Sequence, residues 1–305
     1  MSRQTTSTTI DRSVARTAEL LSRLRPALEV ASEALDYELA LLGWGMRGLQ
    51  HLTVQHLAVL SSADDIIVTA GATPELLSLV RGLGGRVHDL SDHYRDGARR
   101  VQVYGALARE VVKVARRRRR TVFLQYGHPM LYSRPTRMVL QLAAEKALKT
   151  IVLSGISSMD EIFAFLRLDI RERDLQVFHA EHLYQRGKQI DPQSDLLVMQ
   201  PGGPSCPIIW RHPEIRVRSS RGAMVKLLLR LQTHYERLRE VLLRHYPARH
   251  PVQAINISAG DAVGATVHRG TVGGLLELGP KLGYGHTLYL RARVARGARV
   301  TRDAK

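Results

Sequence analysis

The chain is short of cysteine, aromatic residues, acidic residues and long apolar runs. A single cysteine, Cys206, in 305 residues excludes an internal disulfide and fits a reducing compartment. No apolar run reaches the roughly 20 residues a membrane-spanning helix needs. The opening MSRQTTSTTIDRS has no apolar signal core, so a cytoplasmic protein without a membrane partner is the expectation. Aromatics make up only 5% and do not interleave with basic residues, which counts against single-strand RNA binding. No phosphate-binding Walker loop, no Gly-x-Ser-x-Gly elbow and no fixed-period repeat occurs. His179-Ala-Glu-His182 has neither cysteine partners nor an HExxH frame, and no metal is expected.

What is present is positive charge and a buriable core. Lys and Arg number 45 against 28 Asp and Glu, a net charge of +17, and hydrophobic residues reach 44%. Such a balance points to an acidic partner: nucleic acid, an acidic peptide or an anionic cofactor. The length suits two domains of ordinary size.

Strand and helix patterns alternate along the chain. Residues 1–12 are polar. Ser13 to Leu35 reads as one or two helices broken at Pro26, so residues 1–36 form an N-terminal helical extension. Short strands are expected at Glu38–Leu42, Asp65–Ala70, Arg86–Asp89 and Thr121–Gln125. Helices fall between them, up to about Ser61, from Pro74 through Arg81, and from the Leu90–Val114 loop-helix. That alternation implies a parallel sheet with helices on both faces over residues 37–132. The pattern restarts near Ser133 for a second α/β domain at 133–290. It has a helix at Thr136–Leu148, strands at Thr150–Leu153, Leu175–His179 and Leu196–Gln200, and a break at PGGPSCP. A long helix at Val225–His245 and strands at Val252–Ser258 and Thr287–Leu290 follow. Residues 291–305 read as a basic tail.

Three turns carry the chemical interest. GWGMRG at Gly43 to Gly48 matches G-x-G-x-x-G between a strand and a helix. The acidic residue that would grip a ribose is missing from the end of the next strand, because Asp64 and Asp65 stand at its start, so a dinucleotide site is disfavoured. YGHPMLY, from Tyr126 to Tyr132, follows a buried strand, where open parallel sheets bind ligands. His128 there is either a ligand contact or a satisfied turn residue. SGISSMDE follows another strand, and Ser157 or Ser158 can cap the next helix with Glu161 completing a capping box. In the loop-helix, Arg100 leads the apolar stripe Tyr104, Leu107, Val111, Ala115, with Tyr94 just upstream and Asp96 or Gly97 available as cap. Either the arginine reaches solvent past two amphipathic tyrosines, or the three side chains hold a peptide-like group. The run Arg116 to Arg120 suits a helix end or an acidic contact.

Taken in order, GWGMRGLQHLT, HYRDGARRVQVY, YGHPMLYS, SGISSMDEIF, FHAEHL and LLVMQ resemble the tetrapyrrole-methylase-fold (class III) methyltransferases that use S-adenosylmethionine, and within them the borosin peptide backbone N-methyltransferases. The resemblance implies a homodimer of two-domain α/β chains, a parallel-sheet domain followed by a mixed-sheet domain, with the cofactor in the cleft between domains. It implies Gly43 and Gly45 at the entrance, with Tyr126, His128, Leu131, Ser157, Ser158 and Gln200 around the cofactor. Tyr94, Arg100 and Tyr104 become the catalytic group. The family often has another tyrosine three residues before Tyr94, where this chain has Ser91. An amide N–H is a far weaker acid than an ordinary phenol of pKa about 10. The resemblance therefore assigns Tyr104, beside the Arg100 charge, as base and Tyr94 as donor to the amide oxygen. The arginine-rich end RARVARGARVTRDAK lacks a hydrophobic core segment, so a separate precursor peptide with an acidic leader is expected as partner. Rival readings are a tetrapyrrole or other small-molecule methyltransferase on the same fold, and a non-catalytic RNA- or peptide-binding module.

Overall fold

The computed structural model describes residues 35–69, 71–94, 98–117, 120–202, 221–257, 265–283 and 285–293, with scattered positions between 19 and 30, and side chains of the 221–257 segment from Leu229 onward. These residues form two compact units, one ending at Glu161 and one beginning at Ile162. The division falls later than Ser133 because the strand at Thr150–Leu153 joins the first sheet.

The first unit has strands β1 (Leu39–Gly43), β2 (Asp65–Val68), β3 (Arg86–Asp89), β4 (Thr121–Gln125) and β5 (Thr150–Leu153), in the order β3-β2-β4-β1-β5 and all parallel. β1, β2 and β4 are fully buried, as expected of strands covered on both faces, and read as nearly unbroken apolar runs. Alternation splits them cleanly. Ala40, Leu42, Ile66, Val68, Val122 and Leu124 face helices α1 (Val54–Ser61) and α2 (Pro74–Gly82). Leu39, Leu41, Ile67 and Phe123 face α3 (Arg100–Ala115) and α4 (Arg134–Glu145). Each fully buried side chain of this size contributes about 1.5–3 kcal/mol.

Caps fix where the helices begin. Thr53 caps α1 in a capping box in which His56 takes the acid's place: Thr53 Oγ1 accepts from His56 N (3.2 Å) and His56 Nδ1 from Thr53 N (3.3 Å). Ser133 caps α4, and Pro135 sits in its first turn, where a missing N–H costs nothing, so this helix starts at Arg134 rather than Thr136. α3 has Arg99 before it with no side-chain cap, and the expected caps Asp96 and Gly97 lie outside the described residues. Most of the N-terminal extension also lies outside them, although Leu28 is buried with Ala58 and Leu79.

The second unit is a mixed sheet ordered β6-β7-β10-β8-β9: β6 (Leu175–His179), β7 (Asp195–Met199), β8 (Pro251–Asn256), β9 (Thr266–Thr271) and β10 (His286–Leu290). Only β6 and β7 run parallel; β10, β8 and β9 pair antiparallel. Helix α5 (Ser158–Leu166) leads into this unit. Helices α6 (Ala180–Gln185), α7 (Arg221–Leu243) and α8 (Leu275–Leu278) bury Leu183, Leu238, Leu242 and Leu275 against Leu196, Val198, Ala254 and Leu288. Asp195 is fully buried, its oxygens taken by the Tyr289 hydroxyl (2.9 Å) and the Ala292 N–H (2.6 Å). Burial, then that bond, raises the Tyr289 phenol above its usual value. No helix among the described residues is long and apolar enough to cross a membrane.

Candidate functional site

Parallel strands put all their carboxyl ends on one edge, and the first unit concentrates its special residues there. β1 connects through α1 on one face, while its neighbour β4 connects through α4 on the other. The gap between their ends is thus a topological switch point, the usual ligand position in open α/β sheets. Here the backbone is drawn tight. Gly45 and Gly127 exchange hydrogen bonds (3.3 and 3.0 Å). Gly155, after β5, approaches so closely that a Cβ on it would stand 2.5 Å from both Gly127 O and Gly43 O. A Cβ on Gly43 would collide with Gly127 O. Gly45 has φ +78, and a Cβ there would strike His51. The glycines of GWGMRG therefore serve contact between three strand-end loops.

The loop after β4 is pinned at both feet. Gln125 donates to Thr136 Oγ1 (2.6 Å) and accepts from Ser133 Oγ (2.9 Å), and Ser133 and Thr136 bond each other (2.7 Å). Tyr126 stands T-shaped to buried Trp44, centroids 6.1 Å apart. Although 40% of Tyr126 is exposed, desolvation pushes its phenol up to about 12, with Arg47 opposing, so the group stays a neutral donor near pH 7. His128 Nδ1 accepts from Met130 N (3.0 Å), which makes it a turn residue. Its Nε2 makes no hydrogen bond among the described residues. Leu131 is half-buried in the same loop and donates its N–H to His128 O.

Tyr94 and Tyr104 are brought together. Their ring centroids are 6.3 Å apart at 59°, and both pack around Val103 and Leu107. Arg100 opens α3 one turn before Tyr104 on the same helix face. Burial, reinforced by Tyr104, holds the Tyr94 phenol well above the usual tyrosine value, while a hydrogen bond with Thr69 works against it. Thr69 directly follows β2, so that bond ties Tyr94 to the carboxyl-end edge. Ser91 begins the short turn that ends at Tyr94, its N–H on Asp89 Oδ1 (2.8 Å).

The two serines after β5 separate. Ser157 is buried and committed to the α5 cap: its hydroxyl donates to Asp160 Oδ2 (2.6 Å) and accepts from Met159 N and Asp160 N. Asp160 therefore completes the box expected of Glu161. Glu161 instead pairs with Arg47 of the glycine turn, accepting from Nε at 2.8 Å, and lies 3.3 Å from His51 Nε2. Arg47 and Glu161 are 13% and 16% exposed. Desolvation lowers the His51 pKa despite the opposing Glu161 charge. Sequence reasoning missed this triad, because a capping position hid Glu161 and a fingerprint hid Arg47. Ser158 is half-buried and its hydroxyl has no hydrogen bond among the described residues.

Gln200 belongs to the second unit. It directly follows β7 with φ +54, and its Oε1 meets His179 Nε2 at 3.2 Å. His179 caps α6 through Nδ1, so the His-Ala-Glu-His segment builds a helix start.

The Tetrapyrrole (Corrin/Porphyrin) Methylases model matches residues 38–257. A methyltransferase/ribosomally synthesized type I borosin cyclic peptide precursor from Mycena rosella is 26% identical over 164 residues, 54% of this chain and 41% of that protein. The cyclic peptide omphalotin A precursor of Omphalotus olearius is 22% identical, covering 57% of this chain and 42% of that one. The chain thus spans about two-fifths of the length of such curated relatives. Among solved structures, uroporphyrin-III-C-methyltransferase from Thermus thermophilus aligns over 83% of this chain and 91% of its own, with TM-score 0.54 and 19% identity. A diphthine synthase aligns over 84% and 90%, with TM-score 0.51 and 15% identity. With the family model covering nearly three-quarters of the sequence, and with a parallel sheet followed by a mixed one, the chain belongs to the tetrapyrrole (corrin/porphyrin) methylase family.

Proposed function

We propose that the protein is an S-adenosylmethionine-dependent methyltransferase acting on backbone amides of a peptide supplied as a separate chain. The observation that carries the reading is the Tyr94–Tyr104 pair with Arg100, tied through Thr69 to the carboxyl end of β2, on the same sheet edge as the loops after β1, β4 and β5. The borosin-named relatives support a peptide over a tetrapyrrole as substrate.

The residues present suit the cofactor. S-adenosylmethionine carries an adenine, a ribose and a zwitterionic amino acid, and when bound supplies a methyl group on a sulfonium. Neutral hydrogen-bonding groups suit it better than a strong charge. Arg47 is already neutralised by Glu161, Tyr126 remains neutral, and His128 Nε2 and the Ser158 hydroxyl are uncommitted among the described residues. Among the described residues the Gln200 amide is hydrogen-bonded only at Oε1, to His179, which leaves its Nε2 donors uncommitted there. Tyr126, His128, Leu131 and Ser158 are the first unit's candidates to hold the cofactor, and Gln200 is the second unit's. Gly43, Gly45 and Ser157 would shape the turns around it.

An amide nitrogen is a poor nucleophile because its lone pair is delocalised into the carbonyl. Tyr104 removes the N–H proton as that nitrogen attacks, a role worth roughly 10²–10⁴-fold. Tyr94, kept protonated by burial, donates to the amide oxygen as negative charge grows there, worth roughly 10²–10³-fold. Arg100, one turn before Tyr104 on the same face of α3, brings positive charge to the reacting amide. A second protomer completing the assembly belongs to the same proposal. The test is intact-mass analysis of a candidate precursor peptide after incubation with enzyme and S-adenosylmethionine, with fragmentation to locate the methyls. Gains of single methyl units on backbone nitrogens support it; an unmodified peptide, with a tetrapyrrole methylated instead, overturns it.

A further inference from the structure

The second unit carries a groove that none of the chemistry above uses. It runs between α6 and α7 as two adjoining cavities of about 480 and 430 Å³ that share Tyr184, Gln185 and Arg237. Along it stand Arg230, Arg237 and Arg244, all exposed. Their seven-residue spacing puts Arg230 and Arg237 on one face of α7, about 10.5 Å apart, with Arg244 just past its end. None forms an ion pair among the described residues. Lys188 adds a fourth cation from the segment after α6.

The floor is built and neutral. The Arg237 guanidinium lies 5.9 Å over the Tyr184 ring. The Tyr184 hydroxyl meets His234 Nδ1 at 2.9 Å, and His234 Nε2 meets Pro201 O at 2.9 Å. A carbonyl only accepts, so His234 carries its proton on Nε2 and takes the tyrosine hydrogen at Nδ1. Pro201 directly follows Gln200, so the floor is anchored to the turn assigned to the cofactor.

We infer that this groove is the docking surface for an acidic stretch of the peptide substrate. The inference rests on the peptide-methylation reading and adds where the peptide is held away from the reacting amide. In a polyproline-II peptide, with three residues per turn, every third side chain returns to the same side at about 9 Å, close to the arginine interval. A nucleic-acid strand, charged at every residue, would bring phosphates against Glu181 and Glu240, which line the same groove; a peptide with spaced acids avoids them. The net charge of +17 favours the same partner.

The probe is a fluorescein-labelled peptide of about 15 residues with glutamate at every third position, beside a single-stranded RNA of equal length, read by anisotropy. Wild type is compared with Arg237→Glu/Arg244→Glu and with the charge-matched Arg116→Glu/Arg117→Glu at the end of α3. The groove variant is expected to bind the peptide roughly tenfold more weakly. The α3 variant should match wild type, whose affinity falls as salt rises. Equal loss in both variants, no loss in the groove variant, or RNA bound more tightly than peptide through the same arginines overturns the inference. S-adenosylmethionine binding to all three proteins is measured by calorimetry. Failure of wild type to bind it sinks the methyl-transfer reading and leaves the docking result standing by itself.

Discussion

Replacing Glu161 with glutamine tests whether the Arg47–Glu161–His51 triad holds the glycine turn onto the α5 start. The glutamine keeps the shape and one acceptor but strips the charge that answers Arg47, whose Nε donates at 2.8 Å, and that faces His51 at 3.3 Å. Breaking a fully buried pair by removing one partner costs about 3–5 kcal/mol. With Arg47 and Glu161 still 13% and 16% exposed, water screens part of that, and about 2–3 kcal/mol is expected. In a domain of this size that lowers the melting midpoint by roughly 5–10 °C. Thermal denaturation followed by circular dichroism reads the shift. The exposed Lys149–Asp36 pair, 2.5 Å long and 63% and 80% exposed, supplies the control: Asp36→Asn should leave the midpoint where it is. Converting both partners, Arg47→Met with Glu161→Leu, should recover most of the loss, because no lone buried charge remains. A Glu161→Gln midpoint equal to that of Asp36→Asn would refute the reasoning.

Tyr104→Phe should lower kcat for peptide methylation by at least roughly 100-fold while calorimetry shows near-normal cofactor affinity; wild-type turnover removes the base assignment. Gly155→Ala should destabilise by about 3 kcal/mol in denaturant titration, since its methyl would meet two backbone oxygens at 2.5 Å that no rotamer change relieves; an unchanged midpoint means the three loops are looser than described. Desolvation depresses the pKa values of His56, His234 and His286 below 6.5, so each is neutral when folded and gains protons on unfolding. Their stability contribution is then full above pH 6.5 and is lost as pH falls from there through the depressed folded values. The melting midpoint should drop between pH 7.5 and 5.5 for this reason, and a flat profile over that interval contradicts it.

Strong periodic signals were readable in the residues themselves. β1, β2 and β4 are runs of apolar residues buried on both faces, and α3 is an amphipathic stripe; these appear where the sequence places them. β9 was not anticipated. Thr266–Thr271 is a polar edge strand with no fully buried position, held by its ladder to β8 rather than by hydrophobic alternation. The short helices α6 and α8 likewise carry too few residues for a period to show. At the site, sequence order brought Tyr94, Arg100 and Tyr104 into view because they are local to one loop-helix. Arg47 and Glu161 are 114 residues apart, and nothing local in either segment advertises the other. Ser157 could be read as cap or ligand from its neighbours; only the three-dimensional position of Asp160 and Glu161 decides which acid completes the turn.

The triangle of Gln125, Ser133 and Thr136 has a practical corollary. It fastens the two feet of the Tyr126–Tyr132 segment without using any side chain of the segment itself. Those seven residues behave as a cassette in a fixed frame. Provided Gly127 keeps its pairing with Gly45 and buried Pro129 its place, exposed Met130 can be exchanged to reshape what the loop greets, and the sheet beneath need not register the swap.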